Sequence, residues 1–533
     1  MIKITELKLP LDAGDDALLT AAASVLRCPE NRIRALQLTK KAVDSRKKDN
    51  IFFVCNVEAE VTGDEDELIR RSRSNKVGKA EPYVYEEPAL RRESPFRPVI
   101  AGFGPAGFFA ALTLARAGLR PIVLERGHDV DTRTADVRRF FTTGALDENS
   151  NIQFGEGGAG TFSDGKLTTG IKSKLIRKVF LELADKGAPQ EILWSAKPHI
   201  GTDKLAAVVK RFREAVIALG GEVRFGCRLC DVIVANKAIH GVTYEAEDGQ
   251  RMDIETDTLL LCIGHSARDT IEMLRNRGVQ MMQKPFSVGT RIEHPRTFID
   301  RAQYGAMAGH PALGAADYKM ACHPPHGRGL YTFCMCPGGT VVAAASEKGG
   351  MCVNGMSKYA RDAENSNAAL LVGIEPQDFP SEDVLSGFEL QRQIERTAFQ
   401  LGGGGYAAPA QRVGDFLRDT PSTHGGAVRP SCPTGVVWSD IRRVLPRRVT
   451  DTMAEAMVKM DKMLEGFAMP DAVLTAPETR SSSPVRILRD EFFQTNISGL
   501  YPLGEGAGYA GGIVSAAVDG IRGAFAVMED IRE

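Results

Sequence analysis

Polar and apolar positions alternate from Ile2 to Leu9 and from Ile51 to Val61, the period of half-buried strands, while Asp15 to Leu26 carries apolar residues at helical spacing. A small α+β module over residues 1–90 is predicted. Gly78 to Pro98 is polar, charged and Pro-bearing, the composition of a linker. Beyond it the pattern changes. Apolar runs at Pro98 to Phe103, Pro121 to Glu125 and Thr258 to Ile263 read as fully buried strands, and with helical patterns such as Lys204 to Leu219 they predict an α/β sheet over residues 91–269. Residues 270–480 lack that alternation, are rich in Gly, Pro, His and Met, and read as a mixed α+β domain inserted into the first. Residues 481–533 return to strand, Gly-rich turn and helix, completing the α/β part.

One segment has a sharper signature. Val99 to Gly107 (VIAGFGPAG) places G-x-G-x-x-G directly after an apolar strand and at the start of an Ala/Leu-rich helix. Gly102 permits the tight turn, Gly104 lets the backbone approach a pyrophosphate beside Pro105 and Ala106, and Gly107 lets helix and strand pack closely. Phosphates then sit at a helix N-terminus, where free N–H groups and the dipole favour negative charge. The next strand ends at Glu125, whose carboxylate is placed to accept hydrogen bonds from both ribose hydroxyls of an adenosine. Pro98 to Ala115 is uncharged and as long as a membrane span, but Gly102, Gly104, Pro105 and Gly107 interrupt it, so it reads as buried core.

Two further passages resemble FAD proteins that use a two-dinucleotide-binding, Rossmann-like fold of the glutathione-reductase type. Thr258 to Gly264 resembles their strand returning to the cofactor. Gly499 to Ile513 (GLYPLGEGAGYAGGI) resembles their second FAD motif, in which an acidic residue, usually Asp and here Glu505 after Gly504, binds the ribityl chain. Gly511 and Gly512 then open a helix at Ile513 whose N-terminus can stabilise reduced flavin.

Longer passages are similar to a bacterial family of FAD-dependent dehydrogenases without assigned substrates, with an N-terminal α+β domain and a C-terminal cap. They are Asn151 to Leu167 (NIQFGEGGAGTFSDGKL), Gly264 to Thr270 (GHSARDT), Gly289 to His294 (GTRIEH), Tyr331 to Gly339 (YTFCMCPGG), Asn354 to Ser357 (NGMS) and Glu478 to Asp490 (ETRSSSPVRILRD). The resemblance implies an FAD oxidoreductase with a cap shaping the substrate pocket. It also implies that Phe154 to Leu167, including Gly157, Gly158, Ala159, Gly160, Thr161, Lys166 and Leu167, wraps pyrophosphate and flavin. Arg126, Leu229 and Gly264 complete the expected cofactor set. No second G-x-G-x-x-G follows a strand, so reduced NAD(P)H is expected at most as a transient visitor.

Composition narrows the partners. Lys plus Arg number 67 against 68 Asp plus Glu, so no overall field draws the chain to nucleic acid or anionic lipid. The basic run Lys40, Lys41, Arg46, Lys47 and Lys48 reads as a solvated face, with docking of RNA or another protein through the N-terminal domain as the alternative use. That alternative makes the chain a flavin-bearing redox sensor. Met1 to Glu6 lacks a secretory start, so a cytoplasmic protein with its 10 cysteines reduced is expected.

The catalytic candidates follow the returning strand and the cap. His265 can move protons and Arg268 can stabilise anionic reduced flavin, or both can belong to a capping and salt-bridge cluster. Arg291, Glu293 and His294 read as more structural. Cys334 and Cys336 form either a redox dithiol or packed thiols. Adding Cys322, His323 and His326 gives no standard zinc spacing, and no metal is expected.

Overall fold

The computed structural model describes residues 1–530 other than Asp15, Glu93 and His326. Strands Ile2–Pro10, Ile33–Asp44, Phe52–Val61 and Val77–Lys79 form an antiparallel sheet, with Ile2–Pro10 between the last two and Ile33–Asp44 on the edge. Helices Ala17–Leu26 and Glu65–Ser72 complete the unit. The sequence pattern misses Ile33–Asp44 because two bulges, at Ile33/Ala35 and Leu38/Lys40, break its alternation. This strand carries Lys40 and Lys41, and it is a seam: Lys41 N–H donates to the Trp194 carbonyl at 2.7 Å, while its ammonium lies 4.0 Å from the Phe53 ring centre. The described residues of 81–98 hold no strand or helix but are strapped down, with Arg92 bound to Asp257 and the Arg91 and Arg92 N–H groups donating to the Met528 carbonyl.

Five short parallel strands follow in the spatial order Leu500–Pro502, Leu259–Leu261, Val99–Ala101, Ile122–Leu124, Glu222–Arg224. Their residues up to Leu261, apart from the last strand, are fully buried, as a sheet covered on both faces requires. Helix Pro105–Arg116 follows the first of them and packs against Ile513–Glu529 so closely that a Cβ on Gly520 would lie 2.1 Å from the Ala106 carbonyl oxygen. A three-stranded antiparallel meander, Arg228–Ala235, Ala238–Glu245 and Arg251–Glu255, leads to Leu259–Leu261.

Between Leu259–Leu261 and its neighbour Leu500–Pro502 the chain builds a seven-stranded mixed sheet. Its central pair, Phe286–Pro295 and Asn365–Ile374, is antiparallel and buried almost throughout. Both faces are covered, so neither strand shows a polar/apolar period. Ionisable side chains inside are instead paired: Glu293 accepts from Asn365 and Ser431, and His294 Nε2 donates to the Phe467 carbonyl at 2.7 Å.

Burial holds the His294 imidazole down at about 4. An unfolded histidine takes up its proton near pH ~6.5, so the folded state loses stability as pH falls from there towards 4, by about 2 kcal/mol at pH 5. Urea unfolding at pH 7.5 and 5 should show a larger drop for the wild type than for His294→Gln. Equal drops would assign the acid sensitivity elsewhere.

Candidate functional site

The glycine-rich turn is fixed by contacts that exclude side chains. Gly102 has φ +96°, and a Cβ there would lie 2.4 Å from the Cys262 carbonyl oxygen; one on Gly107 would lie 2.0 Å from that of Gly102. Helix Pro105–Arg116 starts from Gly104 with no capping side chain, leaving the positive end of its dipole unanswered by the protein. Helix Ile513–Glu529 starts the same way from Gly512, and Cβ atoms added at Gly511 or Gly512 would meet nothing within 4 Å. Gly160 joins the two starts. Its built Cβ would be 3.3 Å from Ile513 Cγ1 and 3.9 Å from Pro105 Cγ.

The loop from Phe154 to Thr161 lies over this junction. Gly157 N–H donates to the Phe103 carbonyl at 2.8 Å, and Gly158, at φ +63°, would bring a Cβ within 3.0 Å of Gly104 Cα. Ala159 to Phe162 make a short 3-10 turn, with Thr161 Oγ1 donating to the Glu156 carbonyl. Sequence reasoning missed the residue that holds the loop. Arg133, fully buried on helix Val130–Thr143, donates to the carbonyls of Asn151, Ile152, Gly155, Glu156 and Gly158. Burial lowers its guanidinium to about 10. Only the N-cap Asp129 marked this helix in the sequence, and no local signal marks an arginine that binds carbonyls.

Glu125 is more occupied than expected. Its carboxylate accepts from the N–H groups of Phe103 (2.8 Å), Gly127 (3.0 Å) and Gly155 (2.9 Å), using three of about four acceptor positions. It ties the glycine turn to the loop, and one position is left for a ribose hydroxyl rather than two. Arg126 donates to Asp269 at 2.8 Å and stacks 4.2 Å from the Phe154 ring centre. Both line a cavity of about 490 Å³ shared with Arg228, Ser266 and Asp269. Leu229 is packed in the core, so only its backbone can meet a ligand. Leu167 is buried, its N–H on the Pro198 carbonyl, and Lys166 Nζ donates to the Met335 carbonyl.

At the other end, Gly264 has φ +68° and Gly506 is pressed against it, a built Cβ lying 2.3 Å from the Gly264 carbonyl oxygen. Gly504 N–H donates to Asp519 at 2.7 Å. His265 Nδ1 lies 3.4 Å from Glu505 Oε1, while its buried Nε2 has no protein partner. Glu156 keeps a second buried orphan. Its Oε2 accepts from Val130 N–H, Oε1 has no partner, and burial raises the carboxyl to about 7.

Arg268 is 1% exposed and binds both oxygens of Glu395 (2.9 and 3.0 Å), Glu347 (2.9 Å) and Gln391 (3.0 Å), the salt-bridge cluster that the sequence offered as the alternative to a flavin contact. Arg480 grips the same Glu395 and reaches Ser266 and Ser346. Cys334 and Cys336 lie on strand Leu330–Cys336 beside the fully buried Arg291, which is paired with Glu478 and donates to the Cys334 carbonyl at 2.8 Å. His326 lies outside the described residues. Among those described, the His, Cys, Asp and Glu group whose ligand atoms converge is His128, Asp136 and Asp147, which no sequence spacing announced.

Two uncapped helix starts, the glycine turn and buried unpartnered donors and acceptors fit a dinucleotide, and the fold and site define a dinucleotide-binding, Rossmann-type protein of mixed α/β content. Residues 285–481 match the family described as FAD-dependent protein, C-terminal domain-like, and residues 1–60 match a domain of unknown function. An uncharacterised protein of Clostridium beijerinckii is 45% identical over 535 residues, covering 99% of this chain and 98% of that one. The chain belongs to this family of FAD-dependent proteins. Among solved structures it is similar to a geranylgeranyl bacteriochlorophyll reductase-like protein from Thermoplasma acidophilum (13% identity, 81% and 78% of the two chains, TM-score 0.37). Another is a glycerol-3-phosphate dehydrogenase from Bacillus halodurans complexed with FAD (10% identity, 80% and 64%, TM-score 0.35). Among the described residues no helix is long and apolar enough to cross a membrane.

Proposed function

We propose that the chain is an FAD-dependent oxidoreductase of the two-dinucleotide, glutathione-reductase type, with residues 270–480 forming the cap over a small-molecule substrate. The observation that carries this reading is the meeting of two uncapped helix N-termini at Gly160. The start of Pro105–Arg116 takes the pyrophosphate, and the start of Ile513–Glu529 faces the flavin. Adenosine enters beside Glu125, Arg126 and Phe154. Bound FAD supplies two-electron acceptance.

His265 is the proton-handling residue of this proposal. Glu505 Oε1 lies 3.4 Å from Nδ1, and the unpartnered Nε2 is the atom that takes up or releases a proton at the flavin edge. Reduced nicotinamide visits transiently or the substrate reduces the flavin directly. Anaerobic mixing with NADH, NADPH and metabolite pools, followed by flavin absorbance, tests this. His265→Gln should keep its FAD while flavin reduction slows about 100-fold. A colourless protein that takes up no added FAD overturns the cofactor assignment. Flavin that no reductant bleaches overturns the oxidoreductase.

A further inference from the structure

Strand Leu330–Cys336 should, by its alternation, place residues two apart about 6.6–6.8 Å from each other, the outer limit for a disulfide. It does not continue regularly. The register with Asn365–Ile374 slips between Phe333 and Cys336, and Cys334 sits at φ +41°, a left-handed conformation rare for a residue of this kind. Across the slip the Cys336 thiol turns back to Cys334 and donates to its carbonyl at 3.3 Å. Strained backbone at a reactive side chain points to function more than to packing.

The surroundings are cationic. Arg291 Nη1 lies 2.8 Å from the Cys334 carbonyl oxygen and 4.0 Å from Cys336 Sγ, and Lys166 of the cofactor loop donates to the Met335 carbonyl between the two cysteines. The neighbouring Cys336 thiol, with Arg291 and Lys166, pulls the Cys334 thiol below the ordinary thiol range, whereas Cys336 is raised. The fully buried thiols of Cys262 and Cys352 are pushed up instead. Cys334 is also partly exposed, while Cys336 is buried behind it.

We propose that Cys334 and Cys336 are a redox dithiol that exchanges two electrons with the flavin. The proposal rests on the FAD reading of the Phe154 to Leu167 loop. In the oxidative direction the Cys334 thiolate and the Cys336 thiol form an S–S bond and the Cys336 S–H bond breaks. The pair gives up two electrons and one proton, which oxidised FAD takes up to become its reduced anion. The reverse step returns the Cys334 thiolate and the Cys336 thiol.

Two measurements test this separately. In the flavin-free protein, treatment with diamide should remove two alkylatable thiols, lower the intact mass by about 2 Da and map the bond to Cys334 and Cys336, reversibly with dithiothreitol. In the holoprotein first oxidised with diamide and desalted, anaerobic dithionite titration should consume about four electrons per FAD, falling to about two in Cys334→Ser and Cys336→Ser, with Cys352→Ser unchanged at about four. Failure to bind FAD overturns the cofactor reading and, with it, the exchange, even when the disulfide forms. Both thiols remaining alkylatable after diamide, or a wild type that takes up only two electrons per FAD, overturns the dithiol itself.

Discussion

Glu395→Gln is expected to destabilise the protein by about 3–5 kcal/mol, read as a lower urea midpoint at unchanged slope. Glu395 is 1% exposed and accepts from Arg268, Arg480 and Thr479, and the two arginines hold its carboxyl far below the ordinary range. Neutralising it leaves two buried guanidinium groups facing an amide, with Arg268 keeping only Glu347 as a charged partner. Helix Ser386–Leu401 carries Glu395, Arg268 begins the helix after the parallel strand Leu259–Leu261, and Arg480 follows a strand of the seven-stranded sheet. The cluster therefore binds the two sheets together. Removing one surplus cation as well, in Glu395→Gln/Arg480→Met, should recover part of the loss. No difference between the single and double variants would show that the arginines find other partners.

Gly107→Val should give a protein with less than about a tenth of the wild-type FAD, measured as flavin absorbance after gel filtration. The added Cβ would lie 2.0 Å from the Gly102 carbonyl oxygen, so helix Pro105–Arg116 must move off the sheet and its free N–H groups move with it. Gly118→Ala is the control. Gly118 has φ +82° but nothing within 4 Å of its built Cβ, so only backbone strain of about 1 kcal/mol is expected and FAD content should hold. Full FAD occupancy in Gly107→Val would remove the glycine turn from the cofactor site.

The features legible in the sequence are those whose cause is local. The Gly102 to Gly107 turn, the buried strands Val99–Ala101 and Leu259–Leu261 and the helix Thr202–Ala218 follow from spacing and composition, each strand taking the middle three residues of its apolar run. Strands Phe286–Pro295 and Asn365–Ile374 were not legible, because Arg291, Glu293, His294 and Asn367 interrupt their apolar runs and are paired only by residues far along the chain. Arg133, Glu395 and the slip at Cys334 share that property. Each depends on groups that the fold alone brings within reach.

The parallel sheet has a consequence for biosynthesis. Leu259–Leu261 pairs on one side with Val99–Ala101 and on the other with Leu500–Pro502, which the ribosome adds only after the whole seven-stranded sheet. Until then a fully apolar strand presents an open edge, a template for pairing with another nascent chain. A chain halted before Leu500 should accordingly collect as insoluble aggregate, and one that passes it closes the edge and brings the second helix start to the first in the same event.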